Sequence, residues 1–165
     1  MKKELVKKSK KGFTLTEVLA TVIIVVLFSL LVSRSIYTSS TVYQTVVDRA
    51  NASTLLSTTI SELRNELMQA KDLKIDDGSI SYISALSINR VEISNSEDGI
   101  VVKEYADNVD SYLRPLVTRQ AMTKSLHCAY GEVSYSDGLL VIENIVVSKS
   151  NKELITRPIL YIRVG

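Results

Sequence analysis

The sequence predicts an α+β protein: one long amino-terminal helix followed by an antiparallel sheet of about four strands. Three observations point there. Residues 13–33 (FTLTEVLATVIIVVLFSLLVS) are apolar and nearly uncharged; no glycine or proline lies between Gly12 and Gly78; and past Gly78 short β-like runs alternate with turn signals. At 165 residues, 45% of them hydrophobic, the chain is too apolar to be disordered and long enough for one modest domain with an anchor.

Charge is unevenly spread. Residues 1–12 hold six lysines (Lys2, Lys3, Lys7, Lys8, Lys10 and Lys11) against Glu4, so the net charge of +2 conceals a strongly basic front. Of the 20 basic and 18 acidic residues, 14 and 17 remain behind it, a mildly acidic body. Nucleic acid is held by a clustered basic face, so no direct nucleic-acid binding is expected. A helix over 13–33 spans about 31 Å, the thickness of a bilayer's hydrocarbon core. Lysines before this run place the amino terminus in the cytoplasm and the rest of the chain outside. A secretory signal would have a shorter apolar core and a small-residue cleavage site, of which Ser33-Arg34-Ser35 is a poor version. A plain anchor explains length and charge but gives no reason for Glu17.

An ionisable side chain within a membrane span is a functional candidate, because inserting its charge is costly. Locally, Thr14-Leu15-Thr16-Glu17 fits a capping box, with Thr14 as the cap and Glu17 reaching back to a free amide. The helix dipole also favours an acid in the first turn.

Residues 10–17, Lys-Lys-Gly-Phe-Thr-Leu-Thr-Glu, resemble the cleavage and methylation motif of type IV prepilins and pseudopilins. The resemblance is strong over about the first forty residues and extends beyond them only as architecture. It implies that a prepilin peptidase cuts after Gly12, removing 1–12 as a leader, and that Phe13 becomes the N-methylated first residue. It implies that Glu17 pairs with the amino terminus of a neighbouring subunit. Such a pair selects axial register more than it adds stability, since burying either charge alone is costly. An intrachain pair between the Phe13 amine and Glu17 competes with it, as residues four apart share a helix face. Sister pilins, an assembly ATPase acting through a platform protein, and membrane lipid before assembly are the implied partners. The implied destination is an extracellular pilus, reached from the cytoplasmic membrane. No cofactor is implied.

The remaining elements follow in order. The helix is expected to continue through 34–74 as an amphipathic segment, ending near Leu73. Ile60, Leu63, Leu67 and Ala70 recur at helical spacing, and Ile36, Tyr43, Val46 and Ala50 would carry the stripe backwards. Residues 33–59 are rich in serine, threonine and valine, poor helix formers alone. Many pilins weaken this stretch with a proline; here Arg34 and its neighbours occupy it. The head is expected over 79–165. Val91 and Ile93, the turn Asn95 to Gly99, and Ile100 to Tyr105 read as a hairpin. Glu132 to Tyr135, Asp137-Gly138 and the run from Leu139 to Val147 read as a second. Pro158 would open a final strand, Ile159–Val164, at a strand start or sheet edge. Ser79 to Ile88 fits a strand or a link, and Arg114 to Tyr130 has no clear pattern.

Catalytic and metal signatures are weak. The chain has no nucleophile elbow, phosphate loop, HExxH or CxxC pattern. His127-Cys128 adjacency does not by itself set an imidazole on a thiol. Asp76-Asp77-Gly78 and Glu97-Asp98-Gly99 could offer oxygen ligands to calcium, but turn chemistry explains both. The eight tyrosines suit a sheet core or an adhesive face. A lone Cys128 cannot close the disulfide loop of many pilins, which suggests a Gram-positive lineage or a head held by packing alone. A structural subunit rather than an enzyme is expected, leaning towards a minor pilin. The alternatives are a pseudopilin of a type II secretion or competence DNA-uptake machine, and a monomeric anchored or secreted binding protein.

Overall fold

A computed structural model describes residues 14–86, 88–97, 99–105, 111–117 and 125–164. Gly12, Phe13 and Asp98 lie outside them. The chain divides into two compact units, residues 1–44 and 45–165.

Helix α1 runs Leu15–Met68 without interruption. Several of its poor helix formers satisfy their hydroxyls within the helix. Ser29, Ser33, Thr38, Thr41, Thr54 and Thr58 each donate to the carbonyl four residues earlier, and Thr21 to that of Val18. In the second unit Ala52, Leu55, Leu56, Thr59, Leu63 and Leu67 turn one buried face to the core. The expected stripe is therefore present at Leu63 and Leu67, with Ile60 packed against the core edge. It does not extend backwards: Ile36, Tyr43 and Val46 are all more than half exposed.

The helix stops five residues short of the expected Leu73, and Ala70–Asp76 forms strand β1. The spacing of Ala70 and Leu73 misleads because a bulge sits between them. Asp72 adopts a left-handed backbone (φ 51°), and the register shifts between Lys71 and Lys74. The extra residue lets Ala70 and Leu73 face the core three apart, imitating a helical turn.

The described residues of the head form nine strands in two antiparallel sheets, more than the four expected. The first is a meander of β1, β2 (Ser79–Ser84), β3 (Arg90–Ser96), β4 (Gly99–Tyr105) and β5 (Tyr112–Pro115). The second comprises β6 (Leu126–Ala129), β7 (Val133–Ser136), β8 (Leu139–Lys149) and β9 (Lys152–Arg163). Strand β9 lies along the whole of β8, whose other side is shared by β7 near its start and β6 near its end. Both expected hairpins are present as β3–β4 and β7–β8. Two further strands, β5 and β6, lie at the two ends of the stretch that had no clear pattern, whose residues 118–124 fall outside the described ones.

Turn chemistry sets the registers. Asp77-Gly78, Asp137-Gly138 and Ser150-Asn151 each place both central residues at positive φ, the two-residue turn that matches strand twist. Pro158 lies inside β9 rather than opening it. The missing amide is tolerated because the pairing steps from Arg157 to Ile159, opposite Asn144, itself at φ 52°. One hydrophobic core joins the buried helix face to both sheets through Ile80, Tyr82, Ile93, Val102, Leu140, Ile142, Ile145, Val147 and Ile162.

Polar contacts fasten this core. The Tyr130 hydroxyl reaches the carbonyls of Ile93 (2.9 Å) and Gly78 (3.1 Å). The Tyr130 backbone is gripped by Asn95, which donates to its carbonyl at 2.7 Å and accepts from its amide at 3.1 Å. Glu66 accepts from the Tyr82 hydroxyl at 2.9 Å and pairs with Arg114. Lys149 donates to both oxygens of Asp48, at 2.8 and 2.7 Å.

Candidate functional site

The first unit contains the residue singled out by its charge. Glu17 sits in the opening turn of α1, where the first amides lack helical partners. Its Oε2 accepts from the Thr14 amide at 2.9 Å and the Thr14 hydroxyl at 3.0 Å. In return the Glu17 amide donates to Thr14 Oγ1 at 3.4 Å and to the Thr14 carbonyl at 3.1 Å, and the Val18 amide to that same carbonyl at 3.2 Å. This is the capping box read from the sequence, formed reciprocally. Both Thr14 donors fall on one carboxylate oxygen, leaving Oε1 without a partner among the described residues.

Around and beyond Glu17 the apolar side chains are bare. From Leu15 to Val32 every large hydrophobic residue is at least 42% exposed, so no part of the described chain covers them. Isolated exposed leucines are ordinary, but a continuous sleeve of this kind marks a surface that meets lipid or another protein. The segment is long and apolar enough to cross a membrane.

Elsewhere the chemistry is structural. Burial pushes the Cys128 thiol above its ordinary range, with the Thr59 hydroxyl opposing the shift, which disfavours the nucleophilic thiolate. His127, its neighbour on β6, projects to the opposite face as strand alternation requires, so the two do not form a catalytic pair. Asp77-Gly78 is spent on a hairpin turn. Among the described residues no three acidic, histidine or cysteine side chains cluster as metal ligands. The tyrosines divide: Tyr82 and Tyr130 are core residues, while Tyr112 and Tyr161 are mostly exposed. Sequence reasoning missed Tyr130 as a fastening residue. The only available signal was a tyrosine beside Gly131, whose missing side chain admits the Glu143 carbonyl at close range.

Helix and head together define a class: a β-rich domain joined to a helix able to cross a membrane, with a capped glutamate in its first turn. Residues 7–33 match the family model of the prokaryotic N-terminal methylation motif, the signature of type IV pilins and pseudopilins. The match covers the amino-terminal segment and makes that segment pilin-like; the proteins that carry this motif are structural rather than enzymatic. It also implies processing by a prepilin peptidase, assembly with other pilin subunits and membrane anchoring. No curated protein and no solved structure gives a significant match to the chain.

Proposed function

We propose that the chain is a structural subunit of a type IV pilus, most simply a minor pilin, inserted as a precursor and polymerised through α1. In this reading residues 1–12 are a leader and residues 13–33 the membrane and assembly segment. Residues 34–74 continue from that segment, and 79–165 form the exposed head. Peptidase cleavage follows Gly12, and Phe13 carries the methylated amine. An ATPase with its platform protein would drive extrusion of the subunit from the cytoplasmic membrane, with the head outside.

The observation carrying this reading is the union, within one short segment, of the methylation motif and a bare apolar helix opened by Glu17. Among the described residues Glu17 keeps one oxygen without a partner, available to a neighbouring amine even while its capping box is intact. In a dry bundle, a carboxylate and an ammonium are tolerated together and penalised apart, which makes their pairing a register device.

Two measurements test the reading. Intact mass of the mature protein is expected to show an amino terminus at methylated Phe13; a product beginning at Ser35 or Ile36 identifies a secretory signal instead. Glu17→Gln is expected to leave cleavage largely unchanged and abolish incorporation into filaments. Unchanged incorporation refutes the pairing role. A pseudopilin would give the same processing but no sheared surface filament containing the chain.

A further inference from the structure

Over the described residues 14–47 the helix carries two charged side chains, Glu17 and Arg34. Glu17 keeps Oε1 free, as described above. Arg34 is exposed beside Leu30, Tyr37 and Thr38 and forms no ion pair among the described residues. The next acid along the helix, Asp48, is held by Lys149. A guanidinium does not shed its proton, so packing this apolar surface against anything dry requires that Arg34 be given an anion.

We propose that Arg34 of one copy binds the free side of the Glu17 carboxylate on a second, parallel copy displaced along the helix axis by seventeen residues. That displacement is about 25 Å. The pairing rests on the assembly reading above and adds a second partner for Glu17, beyond a neighbour's amine.

Helix geometry shapes the contact. Seventeen residues at roughly 100° each leave acid and base about 100° apart around the helix, so each copy offers them to different neighbours. The contact is head-to-tail and does not close on itself, which is the symmetry of a filament. Copies in register would set like charges level; the stagger sets opposite charges level. One turn further along, Thr21 and Thr38 would meet at the same height. Their hydroxyls are already turned back onto the Val18 and Arg34 carbonyls.

The full-length chain with Thr21→Cys and Thr38→Cys, oxidised in assembled filaments, is expected to run as a ladder of linked dimers, trimers and longer chains. Either single substitution should give no ladder, and Cys128 is buried and stays silent. Independently, Arg34→Gln should lower the polymerised fraction at least about tenfold, with Arg34→Lys restoring most of it. Filaments that form without a ladder, or a ladder formed by one cysteine alone, overturn the pairing while leaving assembly intact. Arg34→Gln subunits that polymerise normally but bind phosphatidylglycerol vesicles less well would assign Arg34 to lipid phosphate and overturn it too. A parent chain that never polymerises removes both readings.

Discussion

Tyr130→Phe isolates one polar contact in the head. The ring keeps its place in the core, where Tyr130 is 4% exposed, so no cavity opens. What disappears is a hydroxyl bonded to the Ile93 and Gly78 carbonyls. One O–H proton cannot serve two acceptors fully, so the loss is that of a single buried hydrogen bond, about 1–2 kcal/mol at neutral pH. Alkali gives a second, sharper expectation. Burial, with a smaller contribution from Glu92, pushes the Tyr130 hydroxyl up to about 12, against about 10 in an unfolded chain. Because the native pKa is raised, the protonated form's stabilisation is complete below about pH 10 and is lost as pH rises through about 12. The substituted protein lacks that loss, so its deficit should shrink between pH 7 and pH 11. Urea unfolding of the full chain in detergent, followed by the near-ultraviolet circular dichroism of its tyrosines, measures both. Equal stability at pH 7, or an undiminished deficit at pH 11, would show that the hydroxyl does not hold the head together.

Other substitutions probe the core and its fastenings. Leu63→Ala removes a fully buried side chain from the helix face and should cost about 2–5 kcal/mol in the same urea assay. Gly131→Ala would bring a Cβ within 3.0 Å of the Glu143 carbonyl and 3.2 Å of the Asn144 Cβ, both backbone-anchored. It should destabilise the head by about 1–3 kcal/mol and speed amide exchange in β8. Lys149→Met deletes a two-oxygen contact to Asp48 whose side chains are 34% and 21% exposed. Solvent screening limits the loss to about 1 kcal/mol, and raising salt should narrow the gap between parent and variant.

Much of the fold was legible in the sequence because each signal had one physical meaning. Asp137-Gly138 fits a tight hairpin because both residues tolerate positive φ, and the strand that follows begins with alternating burial at Leu140 and Ile142. The capping box at Thr14 and Glu17 was legible for the same reason: its contacts lie within four residues. The failures share a different cause. Ala70 and Leu73 keep helical spacing in a strand because the Asp72 bulge changes the period from two to three. Ser150-Asn151 is a weaker turn signal than Asp-Gly, so the first half of β9 went unread. Strands β5 and β6 have four residues each, too short to display a period, and they exist because β4 and β8 offer them an edge. The grip of Asn95 on Tyr130 joins residues 35 apart in sequence and has no local trace.

The long partnership of β8 with β9 bears on the order of events during synthesis. Strand β9 follows every other element in the sequence, yet Leu160 and Ile162 line the same interior as Leu55 and Leu63 of the helix. A ribosome therefore finishes the membrane-directed helix long before it makes the segment that closes the head over it. Until then the core shared with residues 52–67 lacks Leu160 and Ile162, and a nascent chain stalled just before Lys152 would present that incomplete core to whatever chaperone or membrane lies nearby.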